Sequence, residues 1–265
     1  MNIYLFELKA QIKNFVIWTF VIFLTFYLFM SSIYPIFYDS LDNVLKMLNG
    51  FPPGFAAAFG FNISDLFSYG GFLSFSFSYI LLVGAIMAVS LAVSTFAREK
   101  RSKCADFLLT KPRSRGSIFC AKLLSNLTVL IATNIIFMIA AVMIYEGGNQ
   151  DGLFGKFMLS IGGLFFTQLV FLAAGIFFAT YAKKVRSVSG ISTAFGFAGF
   201  ILSALYSIFE EENLRLIAPL KYFDPTSVYL TGGFEAKYVA TAIVVIVACT
   251  ILSYVKYCKS DAHAV

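Results

Sequence analysis

Residues 66–97 read LFSYGGFLSFSFSYILLVGAIMAVSLAVSTFA, 32 consecutive positions without a charged side chain. An α-helix rises 1.5 Å per residue, so about 20 residues cross a hydrocarbon core. A charge at the centre of such a helix costs roughly 2.5–3.5 kcal/mol on insertion, and this run avoids that cost with about three turns to spare. Phe72, Phe75, Phe77 and Tyr79 interleave with Ser74 and Ser78 in a way that suggests a strand. The length of the uncharged run makes helix the better reading.

Working outward, five further runs lack charge: 14–38, 123–145, 157–182, 187–209 and 238–255. With an interfacial lead-in removed from the first-quoted run, the expected spans lie near 14–38, 68–97, 123–145, 157–182, 187–209 and 238–255. Composition agrees: 59% of residues are hydrophobic, 18% aromatic and 13% charged, against about 25% charge in a soluble domain. Mean hydropathy is +0.83. The expected fold is an all-α membrane protein of six transmembrane helices in a single transmembrane domain over 1–265. Lys9 and Lys13 precede the first run, which is longer than the 7–15 residues of a signal-peptide core and is followed by no small-x-small site. It reads as a retained anchor.

The N-terminal segment, the second loop, the fourth loop and the C-terminal segment hold 2, 8, 3 and 2 basic residues, with four acids among them. The other three loops hold five basic and ten acidic residues. By the positive-inside rule both termini are expected to be cytoplasmic. Tyr34, Tyr38, Tyr145, Tyr206 and Tyr238 toward one side, with Trp18, Tyr181, Tyr254 and Tyr257 toward the other, fit interfacial belts.

Reactive chemistry is missing. No charged residue or histidine falls within the expected spans, which argues against proton coupling. No HExxH, GxSxG or intramembrane carboxylate pair occurs, so no enzyme, metal site or cofactor is expected. His263 stands near the chain end, and Cys104, Cys120, Cys249 and Cys258 read as free thiols. Gly155-Lys156 lacks the upstream glycine of a P-loop and has Gln150 there instead, so an ATP-driven protein would need its ATPase on another polypeptide. Nothing points to nucleic acid. Asn126, Asn134 and Gln168 are the strongest polar groups at depth and suit either helix–helix hydrogen bonding or the lining of a substrate path. Ser74 and Ser78, sharing a face at i, i+4, admit the same two readings. In the fifth span Gly190, Ala194 and Ala198, with Ser192 and Gly196 on a neighbouring row, suit close packing within the chain or against another subunit.

The segment 98–117, REKRSKCADFLLTKPRSRGS, carries most of the positive charge yet is not uniformly polar. Cys104, Phe107 and Leu108 repeat at i, i+3, i+4, which predicts a short amphipathic helix. Pro112 ends it, and Ser114 can cap a second helix leading into the third span. Two readings stay open from the residues alone: an interfacial helix against anionic headgroups, or a docking helix for a cytosolic partner.

Here the chain resembles the permeases of type-2 ABC (ABC-2 type) exporters. Those carry, between their second and third spans, a pattern near E-x3-G-T-x-[ED]-x-L-L-x-x-P-x-S-R followed by a lysine. This sequence offers Glu99, Asp106, Leu108-Leu109, Pro112, Ser114-Arg115 and Lys122, with Lys103-Cys104 where the family has Gly-Thr. Asp65-Leu66-Phe67-Ser68-Tyr69-Gly70-Gly71, Pro219-Leu220-Lys221-Tyr222-Phe223-Asp224-Pro225 and the ending Tyr257-Cys258-Lys259-Ser260-Asp261 are also similar to family features.

The resemblance implies a permease subunit forming the membrane pathway for cargo such as a drug, an antimicrobial peptide or a lipid-like molecule. ATP and magnesium would be bound by a separate P-loop subunit, and a second permease chain, identical or different, would complete the transporter. It makes 98–122 a cytoplasmic coupling-helix loop that docks the ATPase through Glu99, Asp106, Phe107, Leu108, Leu109, Pro112, Arg113 and Arg115. Residues 1–13 resemble an interfacial elbow helix, with Leu5, Leu8 and Ile12 on one face. The external loop 210–237 supplies a candidate gate in Glu210, Glu211, Glu212 and Pro219, and its acidity would favour cationic cargo. The Phe and Ile richness points to an AT-rich bacterial genome, hence a bacterial cell membrane. The competing expectation is a stand-alone secondary transporter or channel.

Overall fold

The computed structural model describes residues 3–40, 68–98, 114–147 and 154–259, with isolated positions at 44, 46, 50, 58 and 59. Helix α1 (Ile3–Tyr27) continues through a π-helical stretch, Leu28–Ile33, into α2 (Tyr34–Asp39). Four long helices follow: α3 (Tyr69–Phe96), α4 (Arg115–Gly147), α5 (Phe154–Tyr181) and α6 (Val188–Phe209). A connector of α7 (Glu212–Ile217), a 3-10 turn (Pro219–Lys221) and α8 (Pro225–Thr231) leads to α9 (Ala236–Lys259). Six of these are long and apolar enough to cross a membrane, with mean hydropathy between 1.7 and 2.5 over their most apolar windows.

Local chemistry sets the helix starts. Ser68 Oγ accepts from the Gly71 N–H, Ser114 Oγ from the Ser117 N–H, and Ser187 Oγ from the Gly190 N–H, each satisfying one orphan donor of a first turn. Asp224 does the same for α8 ahead of Pro225, and Gly232, at φ +80°, ends that helix in the left-handed conformation.

The helices form a bundle with two ends. The terminal end holds the start of α1 and the end of α9; the distal end holds the connector. Helices α3 and α5 form the centre: 78% and 61% of their apolar windows are buried, against 17% to 28% for the other four spans. Around them, α1 packs on α3 and α4, α6 on α3, and α9 on α5. The outer helices turn large apolar side chains outward, including Phe20, Met143, Phe209 and Val244, as a lipid-facing surface requires. Because lipid supplies little hydrophobic drive between helices, close approach matters more. A Cβ on Gly175 would stand 2.8 Å from Ala92 Cβ and 3.1 Å from Val89 Cα, and one on Gly196 would overlap Ile86 Cγ1. The small residues of α6 thereby separate: Ser192 and Gly196 face α3, whereas Gly190, Ala194 and Ala198 are exposed.

Residues 3–13, expected as an interfacial elbow, run without a break into the first span as α1. Leu5 and Ile12 are exposed, while Glu7 and Gln11 are buried against other helices. Where the surroundings are apolar, polar groups turn toward the protein interior. The loop 98–122 is shorter than expected, since α4 already begins at Arg115 and takes in Lys122. Glu7 and Lys122 thus belong to the same helices as the first and third spans, at their terminal ends and outside the uncharged runs.

Candidate functional site

At the terminal end three helices converge on one carboxylate. Glu7 of α1 is 3% exposed, with Oε2 2.7 Å from Arg98 Nη1 just past α3 and Oε1 3.6 Å from Lys122 Nζ on α4. Lys122 has no exposed surface and donates a 2.8 Å hydrogen bond to the main-chain oxygen of Thr95. Thr95 belongs to the last turn of α3, whose carbonyls have no partner within the helix. A cation there satisfies one of them and opposes the negative end of the helix dipole. A buried ammonium alone would be costly; carboxylate, carbonyl and the Phe96 ring, 5.8 Å away, surround this one. Arg98 in turn lies over Phe6, at 5.9 Å.

One turn deeper, Gln11 is fully buried, and its Nε2 lies 3.0 Å from Thr95 Oγ1, 3.2 Å from Ser125 Oγ and 2.9 Å from Asn126 Oδ1. Thr95 Oγ1 donates to the same Asn126 oxygen at 3.0 Å. Further bridges between α1 and α4 join Tyr4 to Thr128 and Thr19 to Thr133. The result is a polar clasp tying the start of α1, the end of α3 and the start of α4. It stands at the root of residues 99–113, which leave from Arg98 and return at Ser114.

The distal end is held differently. Arg215 of α7 is 9% exposed; its Nη1 meets Glu235 Oε1 at 2.7 Å, its Nε donates to the Lys221 main-chain oxygen, and its guanidinium lies 3.8 Å from the Tyr238 ring centroid. Lys221 pairs with Asp224 at 2.9 Å. Burial alone would raise the Asp224 carboxyl, but the Lys221 ammonium and the Thr226 N–H outweigh it and hold the group below its ordinary value. Lys156 of α5 donates to the main-chain oxygen of Tyr229 in α8. Ala218, Leu220, Phe223 and Val228 are buried, so the connector caps the bundle instead of hanging from it.

Of the sequence-predicted site residues, Glu99, Asp106, Phe107, Leu108, Leu109, Pro112 and Arg113 lie outside the described residues. Arg115 opens α4 and is half-buried. Glu210, Glu211 and Glu212 are exposed; Glu210 turns the chain out of α6 at φ +54°, and Glu212 pairs with Lys237. Pro219 opens the 3-10 turn. Ser74 and Ser78 bond back to carbonyls of their own helix, and Ser78 also borders a small distal cavity with Phe200, Ser203, Ser207, Lys221 and Asp224. Asn134 Nδ2 donates to Gln168 Oε1 at 2.6 Å, joining α4 to α5, and Gln168 and Asn126 are fully buried in helix–helix contacts. Sequence reasoning missed Glu7, Gln11, Thr95 and Arg98. A signal was present: Tyr4, Glu7 and Gln11 recur at i, i+3, i+7, a polar stripe on a helix.

The family model described as ABC-2 family transporter protein matches residues 1–262. No curated protein matches the chain.

Proposed function

The chain belongs to the ABC-2 transporter family, and from that premise we propose that it is the permease subunit of an ATP-driven exporter. The observation that carries this reading is the anchoring of the 99–113 loop. One root ends on Arg98 and the other re-enters the bundle two turns before Lys122, and both cations meet Glu7. A loop rooted in a buried clasp delivers a push to the helices behind it instead of absorbing it. Residues 1–265 hold no P-loop, and in this reading ATP is bound and hydrolysed by a partner subunit. The terminal end is cytoplasmic, where the basic loops collect.

In this reading Phe107, Leu108 and Leu109 seat in a cleft of the ATPase, and Glu99, Asp106, Pro112, Arg113 and Arg115 shape and complement the contact. Closure of the ATPase pair moves the loops together, and the permeases pass from inward to outward access. The exposed row Gly190, Ala194 and Ala198 offers a close-packing face to a second permease chain, identical or different. At the distal end Glu210, Glu211, Glu212 and Pro219 form the mouth. The hydroxyls of Ser78, Ser203 and Ser207 face the pathway beneath it, and the acidic surroundings favour cationic cargo. Bulky apolar cargo such as a drug, an antimicrobial peptide or a lipid-like molecule suits a path without fixed intramembrane charge.

The test is charge reversal at Arg113 and Arg115, or Leu108→Ala. The variants should insert normally while ATP hydrolysis no longer drives transport. Normal coupling in all of them would overturn the docking assignment. Neutralising Glu210–Glu212 should reduce export of cationic cargo, and unchanged export would remove the acidic mouth.

A further inference from the structure

Nothing in the exporter reading accounts for a carboxylate on α1 placed between two cations from other helices. Helix α1 has no covalent link near the 99–113 loop, so any movement of that loop reaches it only through side-chain contacts. Among the polar contacts, Glu7 takes both Arg98 and Lys122, and Gln11 meets Thr95, Ser125 and Asn126 one turn on. Arg98 and Lys122 belong to the two arms that flank the loop. Their common partner therefore senses both arms at once.

At the other end of the same helix the hydrogen-bond pattern changes. After Tyr27 the chain enters six residues of π-helix, Leu28–Ile33, before α2. The π-helix is rare, and short insertions of it mark places where a helix changes direction or register. Ile3–Tyr27 is then an α-helix of 25 residues, held by the clasp at the terminal end and passing into the π-helical stretch at the distal one. In that stretch Phe29 stacks on Tyr79 and meets Phe75 edge-on. Both partners lie on α3, next to Ser78 at the distal cavity.

We infer that Glu7 is a positioning residue, acting through Arg98 and Lys122, by which movement of the 99–113 loop is transmitted to α1 and along it to the distal end. The inference rests on the exporter reading and adds to it the path by which force leaves the loop. Glu7 itself touches neither nucleotide nor cargo.

The experiment uses the full chain with its co-purifying ATPase in lipid nanodiscs, the four native cysteines replaced and Ala204→Cys introduced where Ala204 lines the distal cavity. The probe is a membrane-impermeant maleimide, and the readouts are its labelling rate with and without ATP, the ATP hydrolysis rate and the thermal midpoint. The unmutated background should label at least fivefold faster during ATP turnover. Glu7→Gln should keep assembly and hydrolysis but lose most of that increase. Glu7→Arg should lose it too, whereas Glu7→Asp, which keeps a negative charge facing both Arg98 and Lys122, should retain most of it. A merely structural role would lower the thermal midpoint and leave the nucleotide-dependent ratio unchanged, and that result overturns the inference while the exporter reading stands. A Glu7→Gln protein that fails to assemble, or a Glu7→Asp protein that loses the response as fully as Glu7→Gln, also overturns it. Absence of any ATP response in the background defeats the exporter reading and this inference together.

Discussion

Lys122 and Thr95 stand 27 positions apart in the chain, yet the buried Lys122 ammonium donates a 2.8 Å hydrogen bond to the Thr95 carbonyl. A lysine at the start of one span thus completes the end of another. The loop between them closes on a fixed base, and Glu7 extends that base to α1.

Removing the cation should be expensive. Lys122→Met leaves the Thr95 carbonyl without its side-chain donor and Glu7 with Arg98 alone. Breaking a buried pair costs about 3–5 kcal/mol, so the thermal midpoint in mild detergent should fall steeply. Because the two residues share one interaction, Glu7→Gln combined with Lys122→Met should cost less than the sum of the single changes, by roughly 1–3 kcal/mol. Strict additivity would show that they do not act together.

Helix approach gives a second expectation. Gly175→Ala presses on Val89 Cα, which belongs to backbone, whereas Gly196→Ala presses on the Ile86 side chain. Overpacking of this kind costs about 1–3 kcal/mol. Trimming Ile86 to Ala should restore much of the loss in Gly196→Ala. Trimming Ala92 to Gly should restore little in Gly175→Ala, and melting curves of the four proteins and both doubles decide it.

The six spans and the family were legible because both depend on features local in sequence: long uncharged runs, and a short motif string between the second and third. The clasp was not. Its members are separated by 91 positions from Glu7 to Arg98 and 115 from Glu7 to Lys122, and each one alone looks like an ordinary charge flanking a span. The partners of the polar face of α1 were hidden for a related reason. Leu5, Leu8 and Ile12 form an apolar stripe, but in a bilayer a stripe of that kind can face lipid while the polar stripe seeks the bundle. Gly190 and Gly196 similarly belong to one small-residue helix by sequence, and only packing shows that one is exposed and the other pressed against α3.

Acid should loosen the distal cap. The Asp224 carboxyl is held below its ordinary value, so its contribution to stability is fully present above the usual carboxylate range, about pH 4, and is lost as pH falls through the depressed value. Asp224→Asn keeps an N-cap acceptor but not the Lys221 pair and should remove this acid sensitivity. Asp224→Ala also loses the cap, at about 1 kcal/mol more. Limited proteolysis of the 212–235 connector between pH 7 and pH 3 reports both, and an Asn variant with unchanged acid sensitivity would contradict the assignment.

Gln168 and Asn134 are expected to serve packing. Interhelical side-chain hydrogen bonds within membranes are worth about 0.6 kcal/mol on average and at most about 1.7. Replacing both residues by Leu should therefore shift stability modestly and leave export intact. Selective loss of export at unchanged stability would instead place them on the cargo path.

The central claim is that this chain is one part of an ATP-driven machine whose motor is another polypeptide. Purification of the tagged chain from its native membrane in gentle detergent, followed by mass spectrometry of what accompanies it, tests that directly. The account predicts a stoichiometric subunit bearing GxxxxGK[ST], released when Arg113 and Arg115 are reversed to Glu. A chain that emerges alone, and stays alone after mild cross-linking in the membrane, would contradict it.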